Sequence, residues 1–255
     1  MTDLFDPKNV ILLATLATLA TGVAGGIGAL PVLLTTRISD KLLDGLLGFA
    51  AGVMLAATSF SLLVPALELA SVWVVVAGVL VGAAFVAMAD RLVPHIHFIS
   101  GPEGPKTSSL RRITLLILAI TIHNFPEGMA VGVAFGSGDI GAGTAVAIAI
   151  GLQNMPEGLA VALPLIREGY GRKKAIFYAL LSGLVEPIGG VIGAASVSIA
   201  RPLLPLGLAF AAGAMLYVVS EEMIPETHRK GFAKIGTTGL LAGFAVMMVL
   251  DTIFG

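Results

Sequence analysis

Apolar residues run along this chain in long uninterrupted stretches, and the polar positions between them come in clusters rather than at strand or amphipathic-helix spacing. The segment between Lys8 and Arg37 carries no charge, and neither does the one between Asp44 and Glu68. As a helix, each is long enough to cross the roughly 30 Å hydrocarbon core of a bilayer. With turn residues and charges as boundaries, the pattern predicts eight helices, over 9–34, 42–67, 70–91, 110–135, 140–166, 173–199, 203–226 and 234–254. The expected fold is an all-α membrane protein with eight transmembrane helices. A single transporter domain spans 1–255, with a cytoplasmic loop at 92–109 between the third and fourth helices. The first run follows Asp3 and Asp6 without a basic leader, so it reads as a permanent first helix and not a cleaved signal.

Composition agrees: 56% of the residues are hydrophobic and 12% charged, against about 25% charged in a soluble domain. The lipid bilayer is the expected surrounding, and no nucleic-acid partner is expected. There are no cysteines, which excludes disulfides, thiolate zinc sites and iron–sulfur clusters and leaves nitrogen, oxygen or thioether as metal ligands. The net charge of -1 conceals an asymmetry. Of the basic residues, all but Lys8 and Arg201 follow helices one, three, five and seven, beginning with Arg37 and Lys41 and ending with Arg229, Lys230 and Lys234. The positive-inside rule puts those loops in the cytoplasm and both termini outside.

Two internal similarities follow. The run from Phe49 to Leu55 in helix two recurs from Phe210 to Leu216 in helix seven, and helices four and five share Asn-x-Pro-Glu-Gly, at Asn124–Gly128 and Asn154–Gly158. Each pair joins an even helix to an odd one, so the partners run in opposite directions. This predicts an inverted-repeat transporter, helices one to three against six to eight, with four and five as a central symmetric pair and the site near the midplane.

The chemistry concentrates in that pair. In helix four, His123 and Glu127 stand one turn apart with Asn124 beside them; in helix five, Gln153, Asn154 and Glu157 repeat the arrangement. Pro126 and Pro156 lack an amide hydrogen, which frees the carbonyls of Ile122 and Leu152 and predicts kinks beside the ligands. A carboxylate at the centre of a membrane helix costs about 2.5–3.5 kcal/mol, so Glu127, Glu157 and Glu186 require a cationic partner. Apart from Arg111, Arg112, Lys173 and Lys174 at the helix ends, no Lys or Arg lies within the same spans. A lone buried histidine is more often a hydrogen-bonded core residue than a ligand, but two matched Pro-Glu-Gly segments favour metal. A nitrogen ligand with several oxygens suits Zn²⁺, Fe²⁺, Mn²⁺ or Cd²⁺.

His-Asn-x-Pro-Glu-Gly followed by Gln-Asn-x-Pro-Glu-Gly in the next helix resembles the signatures of the ZIP (Zrt/Irt-like) metal transporters, in their compact bacterial GufA-like branch, and the resemblance covers essentially the whole chain. It implies import of divalent metal, zinc foremost, into the cytoplasm across the bacterial cytoplasmic membrane. It implies metal ligands at His123, Glu127, Gln153 and Glu157, with Asn124, Asn154 and Glu186 around an adjoining position, and it implies a homodimer. Many members have His where this chain has Gln153, and some bacterial relatives have Asp where it has Asn154.

Other polar residues outline a path. Met54, Ser61 and Glu68 repeat every seven residues along helix two, with Glu68 at the external end. Glu221, Glu222, Glu226 and His228 descend helix seven toward the cytoplasm, with Glu222 the deeper candidate. His95 and His97 read as part of an ordinary loop. The expected function is carrier transport of a divalent metal, with no catalysis and no cofactor. A selective channel is the alternative reading. An intramembrane metallohydrolase is disfavoured by the lack of a His-Glu-x-x-His pair.

Overall fold

The computed structural model describes residues 7–97, 101–103, 112–229 and 231–254. Eight long helical segments account for nearly all of them: α1 (Pro7–Gly28), α2 (Asp40–Leu69), α3 (Val72–Leu92), α4 (Arg112–Gly136), α5 (Ile140–Arg167), α6 (Arg172–Ile199), α7 (Arg201–His228) and α8 (Ala233–Phe254). All but α4 qualify as membrane-crossing by length and hydropathy over their described residues, and α4 is itself 25 residues long. Between α3 and α4 the chain forms a short antiparallel pairing of β1 (His95–His97) with β2 (Gly101–Glu103), where a plain loop is predicted.

Local chemistry sets the boundaries. The Ser39 side chain accepts from the Leu42 amide and opens α2, and Asp139 does the same for Ala142 at 3.0 Å to open α5. Between α4 and α5, Gly138 takes a left-handed φ of 90°, which only glycine adopts at little cost. The connection is so short that α5 follows α4 directly, and the two Pro-Glu-Gly segments become neighbours. Both helices run on through Pro126 and Pro156.

Three segments depart from the predicted regular helices. α6 is interrupted after Gly183 and resumes at Glu186. Pro187 has no N–H to return to the Gly183 carbonyl, so the break falls one turn before it. Glu186 therefore opens a new helical segment instead of lying within a continuous one. α2 and α7 each contain a π-helical stretch, Ala57–Leu63 and Val219–Met223, directly beyond the repeated Phe-Ala-Ala-Gly segments. The matched position extends the internal symmetry from sequence to backbone, and such stretches concentrate at functional sites.

Packing obeys the same symmetry. α2 lies against α8 as α7 lies against α3, and α1 lies against α5 as α6 lies against α4. Glycines set these distances. A Cβ on Gly22 would collide with the Gly183 carbonyl, one on Gly158 with that of Gly25, and one on Gly128 with the backbone of Glu186. The same holds for Gly48 against Gly236 and Gly82 against Phe210. Small residues at such crossings let membrane helices approach backbone to backbone. In the first group they draw α1, α4, α5 and α6 around the polar residues of α4 and α5. Large apolar side chains point outward instead, Trp73 and Leu80 on α3 and Leu241 and Ile253 on α8, as lipid contact requires.

Candidate metal centre

The helical register places His123, Asn124 and Glu127 of α4 opposite Gln153, Asn154 and Glu157 of α5, and Glu186 joins them from the first turn of the second part of α6. Glu127, Gln153, Asn124, Asn154 and Glu186 are all buried, and Gln153 and Glu186 have no exposed surface. A small cavity between them is lined by Asn124, Asn154, Glu157 and Glu186, with Gly22 and Gly183 at its back.

The hydrogen bonds settle which way the amides face. Gln153 Nε2 donates to Glu127 Oε1 at 2.7 Å. Asn154 Nδ2 donates to Glu186 Oε1 at 2.7 Å and to the backbone carbonyl of Thr21 at 2.9 Å. A backbone carbonyl only accepts, so this end of Asn154 must be its NH₂ group. Both amides of α5 thus spend their donors on acceptors and turn their oxygens the other way. Those oxygens, Gln153 Oε1 and Asn154 Oδ1, have no hydrogen-bond partner, and neither do Asn124 Oδ1, Glu127 Oε2 or Glu157 Oε1. Buried polar atoms are rarely left without a partner, and each one costs about 1–3 kcal/mol. Five unsatisfied acceptors, all oxygen, from two adjacent helices are the donor set a cation would complete.

His123 faces a second group. Its Nε2 pairs with Glu222 of the α7 π-helical stretch, and Asp90 of α3 stands beside them. One ligand atom from each of Asp90, His123 and Glu222 lies within 4.8 Å of the other two, close enough to hold one ion. His123 therefore stands at the junction of the α4–α5 oxygens with this acid–imidazole cluster.

The other path candidates are dispersed. Met54 is fully buried in the apolar core, Ser61 donates to Asp251 of α8 at 2.5 Å, and Glu68 is exposed. The π-helical stretch Ala57–Leu63, which contains Ser61, carries i→i+5 bonds, which shifts the register and breaks the seven-residue stripe that α-geometry predicts. Glu221 and His228 are exposed and Glu226 is partly buried. His228 Nδ1 contacts the Ile224 carbonyl at 2.9 Å and its Nε2 lies 3.3 Å from Thr237 of α8, so it ties the end of α7 to the next helix. The side chains of His95 and His97 lie outside the described residues.

Two participants escape the sequence pattern. Asp90 precedes Arg91 at a helix end and looks like an interfacial charge, yet it is only 5% exposed. Thr21 gave a readable signal, since Thr15, Thr18 and Thr21 recur every third residue of an otherwise apolar helix.

Comparison with known proteins gives the family. The family profile described as ZIP Zinc transporter matches residues 100–251. The chain is 46% identical over 248 residues to zinc transporter GufA of Myxococcus xanthus, covering 94% of this chain and 98% of that one. It is 43% identical over 248 residues to zinc transporter ZIPB of Bordetella bronchiseptica, covering 91% and 78%. With human zinc transporter ZIP11 it shares 38% identity over 335 aligned positions, covering 96% and 98%. A family match over more than half the chain, alignment over at least 78% of each of these relatives and an eight-helix fold lead to one conclusion: this multi-pass membrane protein belongs to the ZIP zinc transporter family.

Proposed function

We propose that the protein is a carrier that moves zinc, and with it chemically similar Fe²⁺, Mn²⁺ or Cd²⁺, into the cytoplasm through the centre formed by α4 and α5. The observation that carries this reading is the set of five buried, unpartnered oxygens on Asn124, Glu127, Gln153, Asn154 and Glu157. With the His123 imidazole beside them, they offer mixed nitrogen and oxygen ligation at membrane depth. That chemistry suits borderline divalent ions better than an oxygen-only cage built for calcium. The names of GufA, ZIPB and ZIP11, all zinc transporters, support zinc as the substrate.

Asp90 and Glu222 give the ion its next position. His123 is reachable from both groups, so it can pass an ion from the α4–α5 oxygens to the Asp90–Glu222 pair, on the side where the basic loops predict the cytoplasm. Glu68, exposed at the opposite end of α2, supplies negative charge where ions arrive. The glycine-set contacts within the α1, α4, α5, α6 group support movement of that group as a body carrying the site. The surrounding membrane is the bacterial cytoplasmic membrane, both termini lie outside, and a homodimer is the expected assembly.

The test is uptake of radiolabelled zinc into proteoliposomes at verified, equal incorporation. Native protein gives saturable uptake that unlabelled zinc inside the vesicles accelerates, the behaviour of a carrier. His123→Ala, which removes the residue common to both groups, lowers the rate at subsaturating zinc by about 100-fold, as loss of a desolvated charged partner predicts. Non-saturating uptake without acceleration would make the protein a channel. Unchanged uptake in His123→Ala would remove the ion from this site.

A further inference from the structure

The connection between α1 and α2 is fastened to α5 and α6. Val32, in the 3-10 turn Leu30–Leu33, has no exposed surface and shares a buried apolar cluster with Leu159 and Leu163 of α5 and Ala175 of α6. Arg172, at the start of α6, donates to the Leu33 carbonyl at 2.7 Å. A Cβ on Gly28, the last residue of α1, would collide with the Met155 backbone of α5. Up to Leu33 the connection is therefore part of the α1, α4, α5, α6 group. The stretch that follows is open: Leu34 is 89% exposed, and Thr35 and Arg37 are exposed with it, until Ser39 caps α2.

α2 contributes Leu43 and Leu47 to the same cluster. At this end, which the basic loops predict to be cytoplasmic, an apolar seam thus joins the two groups whose relative movement the carrier reading requires. One turn beyond it, at the helix ends, Arg167 Nη2 of α5 donates to Asp40 Oδ1 of α2 at 3.3 Å. Both side chains are about half exposed, 55% for Arg167 and 40% for Asp40. Such a pair biases an equilibrium by about two- to fivefold. That weakness suits a contact broken and remade in every cycle, which a buried ion pair would obstruct. The base sits in the last turn of α5 and the acid in the first turn of α2, so each keeps a favourable helix end when the pair parts.

We propose that Asp40 and Arg167 form a latch between α2 and the α1, α4, α5, α6 group, one that parts in each transport cycle as the connection bends between Leu34 and Ser39 and Leu43 and Leu47 withdraw from α5. This rests on the reading that the group moves as a body carrying the site. The turn Leu30–Leu33 travels with that body, held by Val32 and Arg172, so the bend falls in the exposed residues after it. While the pair is closed, the seam behind it stays sealed.

The chain has no cysteines, so introduced pairs report without background. Asp40→Cys with Arg167→Cys is bridged by a short bifunctional thiol reagent that dithiothreitol cleaves, and zinc uptake into proteoliposomes is followed before bridging, after it and on reduction. Bridging lowers uptake at least about tenfold and reduction restores it, because the gating step is blocked. Leu33→Cys with Arg172→Cys, bridged in the same way within one group, stays within about twofold of native. The strength of the latch is read from thiol labelling of Leu43→Cys in detergent, since a group exposed only on opening reacts in proportion to the open population. Asp40→Asn and Arg167→Gln each raise that rate about two- to fivefold, and the two together raise it no further. Should Leu43→Cys fail to fold, Leu47→Cys takes its place. Native uptake with the 40–167 bridge in place overturns the latch, as does a labelling rate that Asp40→Asn leaves unchanged. Equal loss of uptake with the 33–172 bridge puts the bend elsewhere and overturns it too. If uptake ignores the 40–167 bridge and internal zinc fails to accelerate it in the native protein, the moving-group reading itself falls, so the two failures are distinguishable.

Discussion

Replacing Glu157 with alanine abolishes saturable zinc uptake by the reconstituted protein, and replacing it with glutamine restores almost none. Glu157 Oε1 is one of the five buried oxygens without a partner, and its carboxylate lines the cavity that also touches Asn124, Asn154 and Glu186. Glutamine keeps the size of the side chain and one acceptor oxygen but loses the charge. Breaking a buried charge pair by removing one partner costs about 3–5 kcal/mol, which corresponds to a fall of about 100-fold or more in ion affinity. The variant itself should fold, because the apo protein then has one fewer carboxylate to hold away from water. The paired measurements are uptake against zinc concentration and a thermal unfolding midpoint in detergent. Native uptake in Glu157→Gln would mean that the carboxylate is structural.

The largest effect on stability is expected next door, at Gly158. Its missing Cβ is occupied by the Gly25 backbone of α1, so even alanine forces α1 and α5 apart. Overpacking of this kind costs about 3 kcal/mol and lowers the unfolding midpoint by roughly 10 °C in a chain of this size. Gly171→Ala is the control, since nothing lies within 4 Å of a Cβ there and its φ of -66° suits any residue. That variant should stay within about 0.5 kcal/mol of native. Equal midpoints for the two variants would show that the α1–α5 crossing relaxes without cost, and with it the geometry that lets Thr21 reach Asn154.

Much of this was legible before any coordinates, for physical reasons. Membrane helices must satisfy their own backbone and face lipid, so uninterrupted apolar runs mark them plainly, and the helix ends fall within two residues of the predicted ones, except that α1 ends at Gly28 and the chain continues as a short 3-10 turn to Leu33. The tandem motif marks the candidate centre because charge at membrane depth is costly wherever it is found. Less legible were features that depend on who meets whom. Asp90 acquires meaning only when α3 is laid beside α4 and α7. The break in α6 follows from Pro187, but that it converts Glu186 into a first-turn residue needs the backbone. The spacing of Met54, Ser61 and Glu68 misleads because a π-helical stretch cannot be read from a seven-residue repeat.

The orientation of the two α5 amides also bears on water. With the NH₂ groups of Gln153 and Asn154 committed to Glu127, Glu186 and Thr21, an ion meets only oxygen from these two side chains. Such oxygens replace the members of a hydration shell one at a time, each taking the place a water molecule leaves. For an ion bound at this proposed centre, discrimination would fall on how readily it sheds its shell, and magnesium, which dehydrates reluctantly, would be disadvantaged before any difference in final affinity is felt.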